Sequence, residues 1–154
     1  MKRMALALAL LVFPAVTRAQ GHPSVFLTKH DVALIRASGG KYPLFARSLA
    51  AGRPGYDEAW QASFVDGAGG RSVLPSMWPL LAGPVAGAIV VSLSETAAAM
   101  KLAAERAHII AEGAAACAIA AALTGRAGSG TVVAVVSGGN IDLTRFAALV
   151  GACV

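Results

Sequence analysis

The chain has 154 residues, enough for one domain of ordinary size. Hydrophobic residues make up 56% and charged residues 14%, which excludes a disordered chain or a nucleic-acid-binding tail. The net charge of +5 falls to +2 once Lys2, Arg3 and Arg18 in the first 19 positions are set aside. No Lys/Arg cluster with interleaved aromatics remains, so no nucleic-acid partner is expected.

Residues 1–19 have the order of a secretory signal. Lys2 and Arg3 form a basic start, and Met4–Val16 is an apolar run too short to span a bilayer. Thr17-Arg18-Ala19 offers a cleavage site, so a periplasmic or secreted location is expected. The next segment, 20–46, reads as helical. A helix is predicted over Leu27–Ala37, with Thr28 as N-cap, Asp31 in the first turn and Gly39-Gly40 as its end. A second helix starts near Pro43 and stops at Gly52. Gly52–Gly55 is a turn, "SFVDGAGGRSVLP" (Ser63–Pro75) is a loop, and Pro75–Gly83 is a short helix or turn carrying Trp78.

The back half is more regular. Ala88–Leu93 reads as a buried strand. Ser92 and Glu95 form a capping box for a helix that includes Ala97–Ala107. "AEGAAACAIAAALTG" is a helix of small residues ending at Gly125. "TVVAVVS" has the continuous β-branched run of a strand covered on both faces, so Thr131–Val136 is predicted as a buried strand. Asp142 caps the closing helix. The alternation gives an α/β domain: a partial, doubly wound parallel sheet with covering helices. Cys117 reads as a small buried thiol. Its pairing with Cys153 is open, and the two lack metal-site spacing.

The "SGGN" of Ser137–Asn140 follows the predicted strand directly. In open α/β sheets ligands sit outside the carboxyl ends of strands. Ser137 offers one hydroxyl there, and Gly138 and Gly139 let the backbone approach a ligand closely. A tight strand-to-helix turn with no ligand would use the same residues.

The surrounding motifs carry a resemblance. "SLAAGRP" (Ser48–Pro54), Asp66-Gly67, "AER" (Ala104–Arg106), "AEGA" (Ala111–Ala114) and "SGGN" occur in order over about 100 residues, roughly Arg47–Leu149. In this, residues 47–154 resemble the C-terminal part of the threonine/serine dehydratases, pyridoxal-phosphate (PLP) enzymes of the tryptophan-synthase-β-like fold, fold type II. The resemblance implies an ammonia-lyase ancestry, PLP as cofactor and a small amino acid as substrate. It implies that Ser137 hydrogen-bonds the pyridine nitrogen of PLP, flanked by Gly138 and Gly139. A hydroxyl there leaves the ring nitrogen largely unprotonated, a milder electron sink suited to loss of a β-hydroxyl. Glu112 would lie near the cofactor ring, and Gly67 in a loop bordering its pocket. Homo-oligomers are common in the family, whose members are cytoplasmic.

Other parts of the family pattern have no counterpart. No Ser-x-Lys-x-Arg-like motif supplies the lysine that bonds PLP. The four lysines are Lys2, Lys29, Lys41 and Lys101, and Lys101 reads as part of a solvated helix face. The phosphate loop, a serine followed by a run of glycines, is absent. Ser38–Gly40 is too short and, on the helix expected before it, follows no strand. The family's acidic metal ligand is also missing. These absences imply a partial chain that is inactive as it stands, with no catalytic residue of its own.

Residues 21–50, "GHPSVFLTKHDVALIRASGGKYPLFARSLA", resemble the start of secreted alginate lyases. They carry none of that family's catalytic residues, and His22 and His30 read as surface or capping groups. The two resemblances meet around "SLAAGRP", as in a fused or chimeric chain. The alternatives to a dehydratase-like protein are therefore a small exported binding or structural module and a polysaccharide-lyase relative.

Overall fold

The computed structural model describes residues 35–39, 44–68, 70–83, 85–128 and 131–152. The signal-like segment, His22, His30, Lys29, Lys41, Cys153 and most of the helix expected over Leu27–Ala37 lie outside them. The described elements follow in order: strand β1 (Ile35–Gly39), helices α1 (Leu44–Ala51) and α2 (Trp78–Ala82), strand β2 (Gly87–Val91), and helices α3 (Leu93–Ala107), α4 (Gly113–Leu123) and α5 (Leu143–Gly151).

β1 and β2 pair in parallel, with Ile35 opposite Gly87 and Gly39 opposite Val91. This corrects the helix expected to run to Ala37, because Ile35–Gly39 forms a strand. The short run "IRASG" has weak intrinsic preference, and the neighbouring strand supplies the ladder that decides its state. Ser38 and Gly39 therefore close a strand, not a helix. A parallel pair needs a long crossover, and α1, the 52–77 loop and α2 provide it. The sheet packs against α1 and α4, while α3 packs against α4 and α5.

Thr131–Val136 is the second correction. Among the described residues it joins no ladder. Val132, Val133 and Val135 are 43%, 62% and 62% exposed. A β-branched run marks a backbone suited to pairing, but a strand forms only where another strand offers its edge. β1 and β2 pair with each other, and among the described residues no third strand lies beside this run.

Local signals set the helix ends. Ser92 Oγ accepts from Glu95 N at 3.1 Å, and Glu95 Oε2 accepts from Ser92 N at 2.7 Å, so the capping box is closed. It also ends β2 at Val91. The backbone N–H of Ser92, then its hydroxyl, holds the exposed Glu95 carboxyl below its ordinary value. Asp142 Oδ1 accepts from Thr144 N and Arg145 N at 2.8 and 3.1 Å, capping α5. Gly52, just past α1, has φ +65°, a left-handed conformation that glycine adopts at little cost.

"SLAAGRP" has a structural use. Ser48 is buried, and its Oγ accepts from Gly55 N at 3.1 Å. Arg47 Nη1 pairs with the buried Asp57 at 2.6 Å. Asp57 N and Val73 N then donate to the carbonyls of Arg71 and Gly55, both at 2.9 Å. The end of α1 is thereby tied to the 71–73 segment.

The main core lies between β2, α3 and α4. Val91, Ala99, Met100, Ala115 and Ala116 are fully buried, with Val65 and Phe146 packed among them. Alanines on α4 let helix and sheet approach closely, and Met100 of α3 is buried in the same cluster. Thr96, also fully buried, donates to the Ser92 carbonyl at 2.8 Å and lies 3.8 Å from Cys117 Sγ. Cys117 donates to the Gly113 carbonyl at 3.3 Å, so both buried polar groups are satisfied.

Two outcomes follow. Met100→Ala removes the largest fully buried side chain and should lower unfolding free energy by about 2–5 kcal/mol in urea titrations. Burial raises the Cys117 thiol above its ordinary value of 9.0, with Thr96 opposing. The unfolded thiol therefore ionises first, so its contribution to stability is complete below pH 9 and fades as pH rises through the higher folded value. Urea titrations across pH 8–11 (roughly 1.4 kcal/mol per pH unit at most from one proton) should show a steeper loss for the native chain than for Cys117→Ala.

Candidate functional site

α3 ends at His108, which takes left-handed backbone angles (φ 55°, ψ 36°), while Ile109 N donates to the Ala103 carbonyl at 3.2 Å. This closure turns the chain into the short 109–112 segment. Glu112 is the N-cap of α4, with no hydrogen bond from its side chain to the first turn. Its backbone is engaged instead: Glu112 N donates to the Gly138 carbonyl at 3.2 Å.

The 137–139 backbone lies against this segment. A methyl on Gly139 would overlap the Ile110 carbonyl oxygen, and a methyl on Gly138 would lie 2.7 Å from Glu112 Oε1. On the other side, a methyl on Gly113 would overlap the Phe64 carbonyl and reach 2.7 Å from its ring. Three chain segments, 64–67, 110–114 and 137–139, thus meet at the start of α4. Gly67 belongs to the same meeting point, since a Cβ there would stand 3.0 Å from Ala114 Cβ. Gly67 also lines a cavity of about 310 Å³ between α1, the 66–74 loop and α2, walled by Leu44, Phe45, Asp66, Leu74 and Met77.

Four of the five expected site residues, Gly67, Glu112, Gly138 and Gly139, are therefore brought together. Gly113 and Gly139 admit protein backbone here, while Gly67 and Gly138 admit the side chains of Ala114 and Glu112. Ser137 is exposed, and its hydroxyl has no hydrogen-bond partner among the described residues. Glu112 is half-buried. Sequence reasoning misses the Phe64 and Ile110 carbonyls. The glycine inside "AEGA" is the available sign that something packs closely on α4.

PLP requires a partner for its ring, an amine, and donors for its phosphate. The exposed Ser137 hydroxyl suits the ring's edge. The start of α4 does not suit the phosphate, because Phe64 covers Gly113 and the Glu112 carboxylate stands beside it. Lys101, the one lysine among the described residues, is half-buried on α3. The described residues therefore fit one edge of the cofactor and not the whole of it. Among them no group of His, Cys, Asp and Glu could hold a metal ion.

The family model for pyridoxal-phosphate dependent enzymes matches residues 22–138. The chain belongs to that family. The match ends inside "SGGN" and takes in nearly all of residues 21–50. Serine racemase from maize is 26% identical with a TM-score of 0.65, over 75% of this chain and 38% of that one. Threonine deaminase from T.th. is 28% identical with a TM-score of 0.65, over 73% and 38%. Serine racemase from Dictyostelium discoideum is 27% identical with a TM-score of 0.61, over 73% and 36%. The chain thus spans less than two-fifths of the length of these solved relatives. No curated protein sequence matches it. These likenesses agree with an α/β, fold-type-II PLP architecture. Among the described residues no helix is long and apolar enough to cross a membrane.

The meeting point predicts a mutational outcome. Gly139→Ala must push the Ile110 carbonyl aside, and should cost about 1–3 kcal/mol in a urea titration. Ala→Gly at the exposed Ala98 serves as a control for glycine content alone, at about 1 kcal/mol.

Proposed function

We propose that this chain forms the ring-side wall of a threonine/serine dehydratase-type PLP site and does not release ammonia from an amino acid by itself. The observation that carries the first half is the joining of Gly67, Glu112, Gly138 and Gly139 at the start of α4, with Ser137 left exposed beside them. In this reading Ser137 donates its hydroxyl proton toward the ring nitrogen, Glu112 stands beside the ring, and Gly67 borders the pocket. When bound, PLP supplies the electron sink for loss of the β-hydroxyl of serine or threonine. The amino-acid class is supported by relatives described as serine racemases and a threonine deaminase.

The second half rests on chemistry. The sequence has no Ser-x-Lys-x-Arg-like motif, and its Ser38-Gly39-Gly40, which begins at the end of β1, is shorter than a serine followed by a run of glycines. A single hydrogen bond from Ser137, about 0.5–1.5 kcal/mol net, does not retain a cofactor whose phosphate lacks an anchor. The basic-then-apolar order of residues 1–19 supports export of the chain.

The test has two arms. The chain alone, incubated with PLP and reduced with borohydride, should carry no single stoichiometrically labelled lysine and release no ammonia from threonine or serine. Labelling of one lysine together with ammonia release would overturn the inactive half. Adding the part of the T.th. threonine deaminase that has no counterpart here should produce ammonia release. Ser137→Ala should then lower it by roughly 2- to 12-fold, the value of one hydrogen bond. Full activity of Ser137→Ala would remove Ser137 from the site.

A further inference from the structure

The cavity between α1, the 66–74 loop and α2 holds about 310 Å³ and has no part in the site around Ser137. Of its lining, only Asp66 and Gly67 belong to the three segments that meet at the start of α4. Leu44 and Phe45, 5% and 7% exposed, form an apolar floor. Leu74 and Met77, 58% and 42% exposed, leave large apolar side chains at the rim. A ligand that covered them would gain in proportion to the apolar area taken from water. Asp66 is the one ionisable residue in the lining. Its carboxylate is set in place, because Oδ1 accepts from Gly67 N at 2.8 Å. Among the described residues it makes no ion pair.

We infer that this cavity binds a small organic amine, an apolar body of a single ring and short chain that carries one ammonium group. Three features select that class. The apolar floor and rim take the body of the ligand. The single charge in the lining is negative, so it attracts a cation and repels carboxylates and phosphates. Asp66 is exposed, so carboxylate and ammonium meet while both stay partly hydrated, and the cost of drying a buried pair does not arise. The volume lies at the low end of the roughly 300–1,000 Å³ of small-molecule sites, which suits one ring and not a polymer. An amino acid fits less well than a simple amine, since its own carboxylate would stand near that of Asp66. The site therefore goes beyond the proposed function and needs no PLP.

Methyl NMR on the full chain is the experiment, with phenethylamine, phenethyl alcohol and hydrocinnamate as probes of similar shape. The Leu74, Met77 and Leu81 methyl signals should shift and saturate with the amine. The alcohol should bind roughly 2- to 5-fold more weakly, the value of one exposed ion pair, and the carboxylate about tenfold more weakly than the amine. Asp66→Asn keeps an oxygen for Gly67 N and loses the charge, so the amine should fall to the level of the alcohol. Leu74→Ser, at an exposed position, should weaken amine and alcohol alike by roughly 2- to 10-fold. Leu143→Ser, exposed on α5, should change neither. The inference is overturned if amine and carboxylate bind equally, or if Asp66→Asn leaves amine binding unchanged. It is equally overturned if no probe saturates the cavity methyls. Shifts at Leu143, Val133 and Val135 that match those of the cavity would overturn it too, since they mark general apolar contact. None of these outcomes depends on PLP, so the proposed function stands or falls separately.

Discussion

The hydrogen bond from Glu112 N to the Gly138 carbonyl, 3.2 Å long, holds two loops together through their backbones alone. Gly138 presents no side chain to obstruct it, and the Glu112 carboxylate lies where a Cβ on Gly138 would stand. Gly138 and Gly139 lie against Glu112 and the Ile110 carbonyl, and Gly113 lies under the Phe64 carbonyl. α4 begins at this seam, and α5 begins shortly after it, capped by Asp142. The seam also leaves Ser137 on the surface. If the loops separated, the half-buried Glu112 and the exposed Ser137 would lose their fixed relation, and with it any shared chemistry.

The core exists to hold that seam in place. α3 and α4 pack through alanines around Met100, and the Ser92–Thr96–Cys117–Gly113 contacts run from the start of one helix to the start of the other. The turn at His108 sets how the 109–112 segment leaves α3. On the far side, Arg47, Ser48 and Asp57 tie α1 to the loop that brings Phe64 and Gly67 to α4. Motifs shared with a catalytic family thus serve mainly as fittings between segments.

What was legible in the sequence was local. A capping box needs only Ser92 and Glu95 three apart, and Asp142 reaches the nearby amides of its own helix, so both were readable from spacing. The α4 alanines and the buried Cys117 followed from composition. Strands failed in both directions for one reason. Ile35–Gly39 is a strand because β2 lies beside it, and Thr131–Val136 is not one because no described segment does so for it. Pairing is a property of two segments, and neither run contains the other. The site residues were legible through resemblance, while the Phe64 and Ile110 carbonyls that explain the glycines were not, since backbone atoms leave no letter in a sequence.

The central claim is that the wall of the site is preformed in the chain by itself. The exchange rate of one amide, that of Glu112, measures it most directly. In the isolated chain this N–H should exchange as slowly as that of Ala116, which donates to the Glu112 carbonyl within α4 at 2.9 Å. A Glu112 amide that exchanges at the rate of an open loop, while Ala116 stays protected, would mean that the seam is not closed and that the chain alone carries no site.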